Sequence, residues 1–273
     1  MRLLISAALI LLAATLHASA QNAVPPDVLK DLAPTGKLRA AINFGNSVLA
    51  QKGKDGGPQG VTADLSRELA KRLGVEVSFV TFEAAGKVFE AAKAGSWDVG
   101  FVAIEPVRAA DIEFTAPYLF IDGTYMVRQD SPLKEVGDVD KPGIRIAVGL
   151  GSAYDLYLTR TIKNATLVRA PVGGGRAMIE MFVNDKLEAA AGVRQPLEDY
   201  AKSHPEMRVM KGAFQQIQQA MGTPKKEGQP KAAGAAYLKA FVEEMKASGF
   251  VADALKRSGQ VAQVAPPAAP PAK

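Results

Sequence analysis

Arg108 is the residue of this sequence best placed to bind an anion. It follows residues 99–104, an apolar run typical of a strand in a sheet that is covered on both faces. Pro106 ends that strand, because proline cannot donate a hydrogen bond to a neighbouring strand. Ligands of open α/β sheets bind at the carboxyl ends of the strands, and a guanidinium pairs bidentately with a carboxylate. The pattern therefore predicts an anion-binding arginine, or alternatively a surface ion pair with Asp111 or Glu113.

Few side chains could carry out catalysis. The 273 residues include no cysteine and two histidines, of which only His204 lies outside the first 20 residues. This composition excludes a Cys–His pair and gives no basis for a zinc site or a Ser–His–Asp triad. Glu105, which directly follows the predicted strand at residues 99–104, could serve as a general acid, and this leaves a carboxylate-based mechanism open. We expect a hydrogen-bonding role for Glu105, no enzyme activity and no cofactor or metal.

Two further groups of residues follow predicted strands. Asn43, Phe44 and Asn46 come after the first strand of the chain, where asparagine is also a common turn former. Gly151 and Ser152 lie between a strand and a helix, where backbone N–H groups and the helix dipole favour an anion. Ser152 also begins an approximate capping box, so each group has a purely structural alternative. The dinucleotide-binding glycine pattern is incomplete here, and NAD is not expected.

The elements that must position these residues alternate between strands and helices. Hydrophobic periodicity predicts β-α-β-α-β over residues 36–104, a second unit of the same kind over residues 144–200, and a final helix over residues 232–248. Residues 119–128 and 214–221 are predicted to be extended connections between the two units. The alternation predicts two α/β units with mainly parallel sheets.

A longer motif surrounds Arg108. It reads AIEPVR at residues 103–108 and EFTAPY at residues 113–118. In this motif the sequence resembles the first lobe of periplasmic solute-binding proteins of the polar amino acid class (family 3), which serve ABC importers. The resemblance implies a two-lobed α/β fold of type II, in which two crossover segments join lobes that close on a ligand like a clamp. It places the first lobe at residues 30–123 and 217–259 and the second at residues 128–212.

The resemblance also implies roles for the residues at the strand ends. Arg108 would bind the ligand carboxylate, and Ala103, where the family carries serine or threonine, would contribute through its backbone. The remaining candidates line the two lobes: Asn43, Phe44, Asn46 and Glu105 in the first, and Gly151, Ser152 and Arg194 in the second.

One departure from the family pattern bears on the ligand. The family binds the α-amino group of its ligand with an aspartate of the second lobe, and the corresponding position here holds Val193 or Arg194, depending on the count. We therefore hypothesise that Arg108 and Arg194 face each other across the cleft and bind a carboxylate or dianionic metabolite. In the alternative, Arg194 points to solvent beside Glu198.

The two ends of the chain are predicted to lie outside the fold. Residues 1–20 have the charged start, apolar run and small-residue cleavage site of a secretory signal peptide. Because no cysteine is present for a lipid anchor, we expect a free periplasmic protein. Residues 260–273 are rich in proline and alanine, which predicts a disordered tail. The net charge of +5 comes from scattered basic residues, so no nucleic-acid partner is expected.

The sequence thus predicts a monomeric solute-binding protein that captures a small polar or anionic metabolite for an inner-membrane ABC permease. Two alternatives remain open: a periplasmic dehydratase of the cyclohexadienyl type on the same fold, and a soluble sensor or chemoreceptor ligand-binding protein.

Overall fold

Strands and helices alternate along the computed structural model, which describes residues 24–171 and 174–268. The predicted signal peptide lies outside these residues. The strands are β1 (Lys37–Asn43), β2 (Gln51–Lys52), β3 (Pro58–Gln59), β4 (Glu76–Phe82), β5 (Val99–Ala103), β6 (Ile112–Arg128), β7 (Arg145–Gly149), β8 (Thr166–Ala170), β9 (Ala189–Val193), β10 (Met207–Val209), β11 (Gln215–Pro224) and β12 (Gln263–Val264). The helices are α1 (Pro26–Leu32), α2 (Val61–Leu73), α3 (Ala85–Lys93), α4 (Pro106–Ala109), α5 (Ala153–Thr161), α6 (Gly174–Asn184), α7 (Arg194–Ser203), α8 (Ala232–Ala247) and α9 (Phe250–Arg257). Of the helices described, none combines the length and the apolar character needed to cross a membrane.

In the first half of the chain, β1 pairs in parallel with β4 on one side and β5 on the other. All five residues of β5 are buried, as expected for a strand covered on both faces. Helix α2 covers this sheet because its apolar residues recur every four positions, and Val61, Leu65, Leu69 and Leu73 are all buried. The helix ends at Gly74, whose φ of 69° is the left-handed cap conformation that glycine adopts without strain.

The second half repeats this arrangement. Strand β7 pairs in parallel with β8 and β9, and the five residues of β9 are buried. Helix α6 buries Met178, Ile179 and Phe182 in an apolar cluster with residues of β7 and β9. The predicted pair of mainly parallel α/β units is therefore confirmed.

Two long antiparallel strands connect the halves. The 17-residue strand β6 pairs with β11 along residues 112–123 and with β9 from Gly123 to Met126. Strand β11 in turn pairs with β5, so the sheet runs in the order β4-β1-β5-β11-β6-β9-β7-β8. Pro117 lies opposite Ala220, where the register shifts, so the ladder accommodates a residue that cannot donate. These are the two crossover segments of a two-lobed molecule.

The prediction of a disordered tail from residue 260 onward is wrong for the part that the structure describes. Gln263 and Val264 form β12, which pairs with Phe120 and Leu119 of β6. Beyond it, Ala265 N donates to the carbonyl of Tyr118 and Lys246 Nζ donates to the carbonyl of Pro266. A short strand that adds to a sheet edge obtains its hydrogen bonds from the partner, so its composition alone is a poor guide. Residues 269–273 lie outside the described range.

Candidate ligand-binding site

A cavity of about 70 Å³ lies where two sets of parallel strands end, β1 and β5 in one half of the sheet and β7, β8 and β9 in the other. Its wall includes the last residue of each strand: Asn43, Ala103, Gly149, Ala170 and Val193. The first two belong to one half of the sheet and the other three to the second half, so the cavity lies between the lobes. A volume of this size holds about five water-sized molecules, which limits an enclosed solute to a small one.

Apolar side chains form most of the wall. They come from both lobes and include Leu49, Phe101, Ala153, Met178, Ile179, Leu197 and Ile217. Helices α5, α6 and α7 and strands β5 and β11 carry six of them, which ties the shape of the cavity to the packing of both sheets. Such a wall favours the burial of an apolar body and leaves orientation to a few polar groups.

Arg108 lies in this wall with its side chain fully buried. Its Nη1 donates to the carbonyl of Ala103 at 3.0 Å, and its Nη2 donates across the cavity to the carbonyl of Gly151 at 2.8 Å. The Nε–H has no partner among the described residues. Burial lowers the pKa of Arg108 to about 10, against the opposing effect of the nearby Glu105 carboxylate, so the guanidinium remains charged at neutral pH. A buried cation with a free donor is suited to bind an anion.

Glu105 is directed away from the cavity wall and toward the second lobe. Its side chain is buried, and its Oε2 lies 2.7 Å from Arg160 Nη1 on α5. The arginine N–H is not aimed along that line, so the contact is an ion pair without a good hydrogen bond. The Nε2 of Gln215 donates to Oε1 at 3.1 Å. Both carboxylate oxygens are therefore engaged in contacts outside the cavity, which argues against a general acid.

The turn between β7 and α5 is held by a buried carboxylate. Asp155 accepts from Gly151 N at 2.8 Å and from Arg169 Nε at 2.9 Å, and Ser152 Oγ caps the helix by accepting from Asp155 N. Gly151 has a φ of 70°, which favours glycine. Ser152 lines the cavity, whereas Gly151 presents its carbonyl to Arg108. Because Asp155 already accepts from Gly151 N, this N–H is not free for a ligand.

The residues after β1 divide between the cavity and its mouth. Asn43 and Asn46 line the cavity, and their Oδ1 atoms also accept from Gly45 N and Val48 N, as in turns. Phe44 lies instead in an outer groove at the mouth, with Lys52 Nζ 5.1 Å from the centre of its ring.

Glycines allow the rims of the two lobes to approach each other closely. A Cβ atom on Gly174 would lie 2.8 Å from Gly45 Cα, and one on Gly86 would lie 3.0 Å from the carbonyl oxygen of Leu150. Any larger residue at these positions would push the rims apart. The structure therefore represents a closed cleft whose closure depends on the absence of side chains at the rim.

The match to a known family covers residues 45–260 of the chain. These residues fit the family model described as bacterial extracellular solute-binding proteins, family 3. The chain belongs to this family. The members of family 3 are solute-binding proteins. The cavity between the two lobes is therefore the candidate site for the solute.

Solved structures confirm the two-lobed fold of this family 3 protein. Cysteine-Binding Protein from Campylobacter jejuni has a TM-score of 0.72 and 18% identity, with 84% of this chain and 92% of that chain covered. A mutant of ArgBP from T. maritima has a TM-score of 0.71 and 18% identity, with 85% and 99% covered. An ancestral amino acid-binding protein, described as a precursor of cyclohexadienyl dehydratase, has a TM-score of 0.68 and 22% identity, with 84% and 98% covered.

The hypothesis that Arg194 faces Arg108 across the cleft of this family 3 protein is wrong. Arg194 Nε donates to Asp122 Oδ2 at 3.3 Å, its two Nη groups donate to the carbonyls of Met210 and Gly212, and Glu198 lies 3.5 Å away. Arg194 is the first residue of α7, one position after the strand end that lines the cavity. Since successive residues leave a strand on opposite sides, Val193 faces the cavity and Arg194 faces the crossover segments.

Gln219 is a wall residue that the sequence analysis missed. It lies on β11, is 5% exposed, and its Oε1 has no hydrogen-bond partner in the described part of the chain. The only signal for it in the sequence was its position within residues 214–221, one of the two predicted extended connections. No three Asp, Glu or His side chains within the described ranges are grouped so that they could hold a metal ion.

Proposed function

We propose that this chain is a periplasmic solute-binding protein that captures a small carboxylate as a monomer and delivers it to an inner-membrane ABC permease. The observation that carries the proposal is the buried Arg108 guanidinium, which lies in the cavity wall and contacts both lobes. Its free Nε–H and its positive charge would bind a ligand carboxylate, while the apolar wall encloses the rest of the solute.

Binding and closure would be coupled through the same residues. Ala103 and Arg108 belong to the first lobe, taken as residues 30–123 and 217–259, and Ser152 and Val193 belong to the second, taken as residues 128–212. A solute that contacts both walls stabilises the closed form over an open one, because only the closed form makes all the contacts. A permease could then recognise the closed, loaded molecule.

A dehydratase on this fold receives less support. This activity is a candidate because the chain is similar to a precursor of cyclohexadienyl dehydratase. However, both carboxylate oxygens of Glu105, the acid after strand β5, already contact Arg160 and Gln215. A general acid has to reach the group that it protonates. Incubation of the purified protein with a cyclohexadienyl acid, followed by spectroscopic detection of aromatic product, would reveal such an activity, and we expect none.

The binding proposal is tested by Arg108→Met, which keeps much of the side-chain volume and removes the charge. Calorimetric titration with a carboxylate that raises the melting temperature of the wild type should give an affinity at least ~100-fold lower in the variant, since two charge-assisted bonds contribute about 3 kcal/mol or more.

Arg67→Met is the matched control, because Arg67 lies on α2 with its side chain 48% exposed and outside the cavity wall. It should bind as the wild type does. Equal affinities in R108M and R67M would contradict the proposal.

A further inference from the structure

The cavity wall carries a single charge among the described residues, that of Arg108. The other polar side chains of the wall are neutral, namely Asn43, Asn46, Ser152, Tyr154 and Gln219. The two residues between Pro171 and Gly174, outside the described ranges, are a valine and a glycine, so they add no charge. The cavity thus offers a cation to a ligand and offers no anion.

Acidic residues on the surrounding loops are engaged elsewhere. Asp155 accepts hydrogen bonds from Gly151 N and Arg169 Nε, Glu83 pairs with Lys52 at the mouth, and Glu105 pairs with Arg160. To turn any of these carboxylates toward a ligand would break an existing ion pair or hydrogen bond. In the described part of the chain, these three carboxylates around the cavity are therefore all held by other groups in the closed structure.

This charge pattern disfavours a ligand that carries an ammonium group. An α-amino acid would place its ammonium group within a few ångströms of its own carboxylate, and hence near Arg108. A buried ammonium with no carboxylate partner loses its hydration and gains no compensating contact, and the positive guanidinium repels it. The neutral amide and hydroxyl groups of the wall replace only part of that hydration.

The same pattern disfavours a second carboxylate. Arg194, the other arginine considered for the site, contacts Asp122 and Glu198 outside the wall. One guanidinium compensates one carboxylate, and the remaining wall is mainly apolar. Gln219 offers an uncharged amide that could hydrogen-bond a hydroxyl or a carbonyl group.

We infer that the solute is a small monocarboxylate with an apolar body, without a cationic amine and without a second carboxylate. This inference rests on the proposed function and specifies its ligand. A neutral hydroxyl or keto group on the body is compatible with the site, because Asn43, Asn46, Ser152 and Gln219 supply neutral donors and acceptors.

Matched compounds that differ only in the amine test this inference. Butanoate and 2-aminobutanoate, 4-methylpentanoate and leucine, and 3-phenylpropanoate and phenylalanine form three such pairs of increasing size. Calorimetric titration of the wild-type protein at pH 7 should show, for the pair that fits, an affinity at least about 100-fold higher for the compound without the amine, since an unpaired buried charge is rejected strongly. Glutarate should bind more weakly than the monocarboxylate of the pair that fits.

A substitution in the wall gives an independent readout. Val193→Asp places a carboxylate at the end of β9, and Val193→Asn is its uncharged counterpart of similar shape. The Asp variant should shift the affinity ratio toward the amino acid by at least about tenfold relative to the Asn variant. If both variants fail to fold, as judged by the loss of a cooperative melt, the matched compounds still decide the question with the wild type.

The outcomes separate the inference from the function on which it rests. If the amino acid of any pair binds as tightly as its partner, or glutarate binds more tightly, the ligand class is wrong and the solute-binding function stands. If no carboxylate or amino acid of the three pairs binds at millimolar concentration to protein that melts cooperatively, the proposed carboxylate-binding function is contradicted as well.

Discussion

Arg108 carries its charge in a place that is costly for the empty protein. Its side chain is fully buried, and its hydrogen-bond partners are two neutral carbonyls, while the nearby Glu105 carboxylate is itself paired with Arg160. The lowered pKa of this guanidinium expresses the same cost, because burial disfavours the charged form. Because the buried charge destabilises the empty protein, we infer that Arg108 is retained for its contribution to ligand binding.

We predict that Arg108→Met, the variant expected to bind the solute at least ~100-fold more weakly, does not weaken the empty fold. Replacement of a buried charge by an apolar side chain of similar size is often neutral or stabilising, so the free energy of unfolding should stay equal or rise by up to ~2 kcal/mol. Urea denaturation without ligand measures it. A loss of more than about 1 kcal/mol would mean that the bonds to Ala103 and Gly151 stabilise the empty protein more than the buried charge costs.

Single residues also show which features of the site could be predicted from the sequence and which could not. Arg108, Asn43, Asn46 and Ser152 were predicted from their positions at strand ends and Ala103 from the family resemblance, and all five line the cavity. The position of Arg194 was mistaken by one residue, since the alternation of side chains places Val193 in the wall. Gln219 could not be found, because only the pairing of β11 with β5 brings it to the cavity.

Among the elements, the loops at the cleft rims determine how far the lobes close. Gly86 is the second residue of α3, and its Cα lies 3.0 Å from the position that a Cβ on Gly151 would occupy. Both glycines therefore act through the small size of their side chains. The positive φ of Gly151 adds a second reason for glycine there, whereas Gly86 lies within a helix, where alanine is favoured.

Gly86→Ala is predicted to weaken binding without weakening the fold. The added methyl would meet the carbonyl of Leu150 at 3.0 Å and destabilise the closed form, so the affinity for the solute should fall about 3- to 30-fold. The unfolding free energy of the empty protein should be unchanged or rise slightly, since alanine favours the helix. Titration and urea denaturation measure the two quantities.

Gly137→Ala is the matched control for Gly86→Ala, because among the described residues nothing except its own chain neighbours lies within 4 Å of an added Cβ. Its affinity for the solute should equal that of the wild type. A G86A variant that binds as tightly as G137A would mean that the rims separate enough to accept a methyl group at no cost.

The elements themselves were predictable where their periodicity was strong. Helix α2, strand β5 and helix α8 were predicted from apolar spacing, since each buries one face or both. Strand β12 was not predicted, because a strand of two residues in a proline-rich segment shows no alternation of apolar and polar side chains. Its formation depends on the free edge that Leu119 and Phe120 of β6 present, which is a property of the assembled sheet.

For the whole molecule, we expect contacts across the cleft to link binding to closure. Besides the bond from Arg108 to Gly151, the Glu105–Arg160 ion pair joins the connection between β5 and α4 to helix α5 of the other lobe. Strands β6 and β11 connect the lobes through a ladder with register shifts at Gln219 and Ala220. Cross-cleft contacts exist only while the lobes are closed, so they should contribute to solute affinity even where they do not touch the solute.

A double-mutant cycle tests this link. Glu105→Gln, Arg160→Gln and the double variant should give, from solute dissociation constants, a coupling of about 1 kcal/mol, which corresponds to roughly fivefold in affinity. Each single variant has other effects as well, since the Glu105 charge also acts on Arg108, and the cycle removes these. The control is the cycle for Arg72 and Glu244, an ion pair within the first lobe, whose coupling in solute affinity should be near zero. Equal couplings in the two cycles would mean that the Glu105–Arg160 pair persists when the cleft opens, and closure would then depend on the solute and Arg108 alone.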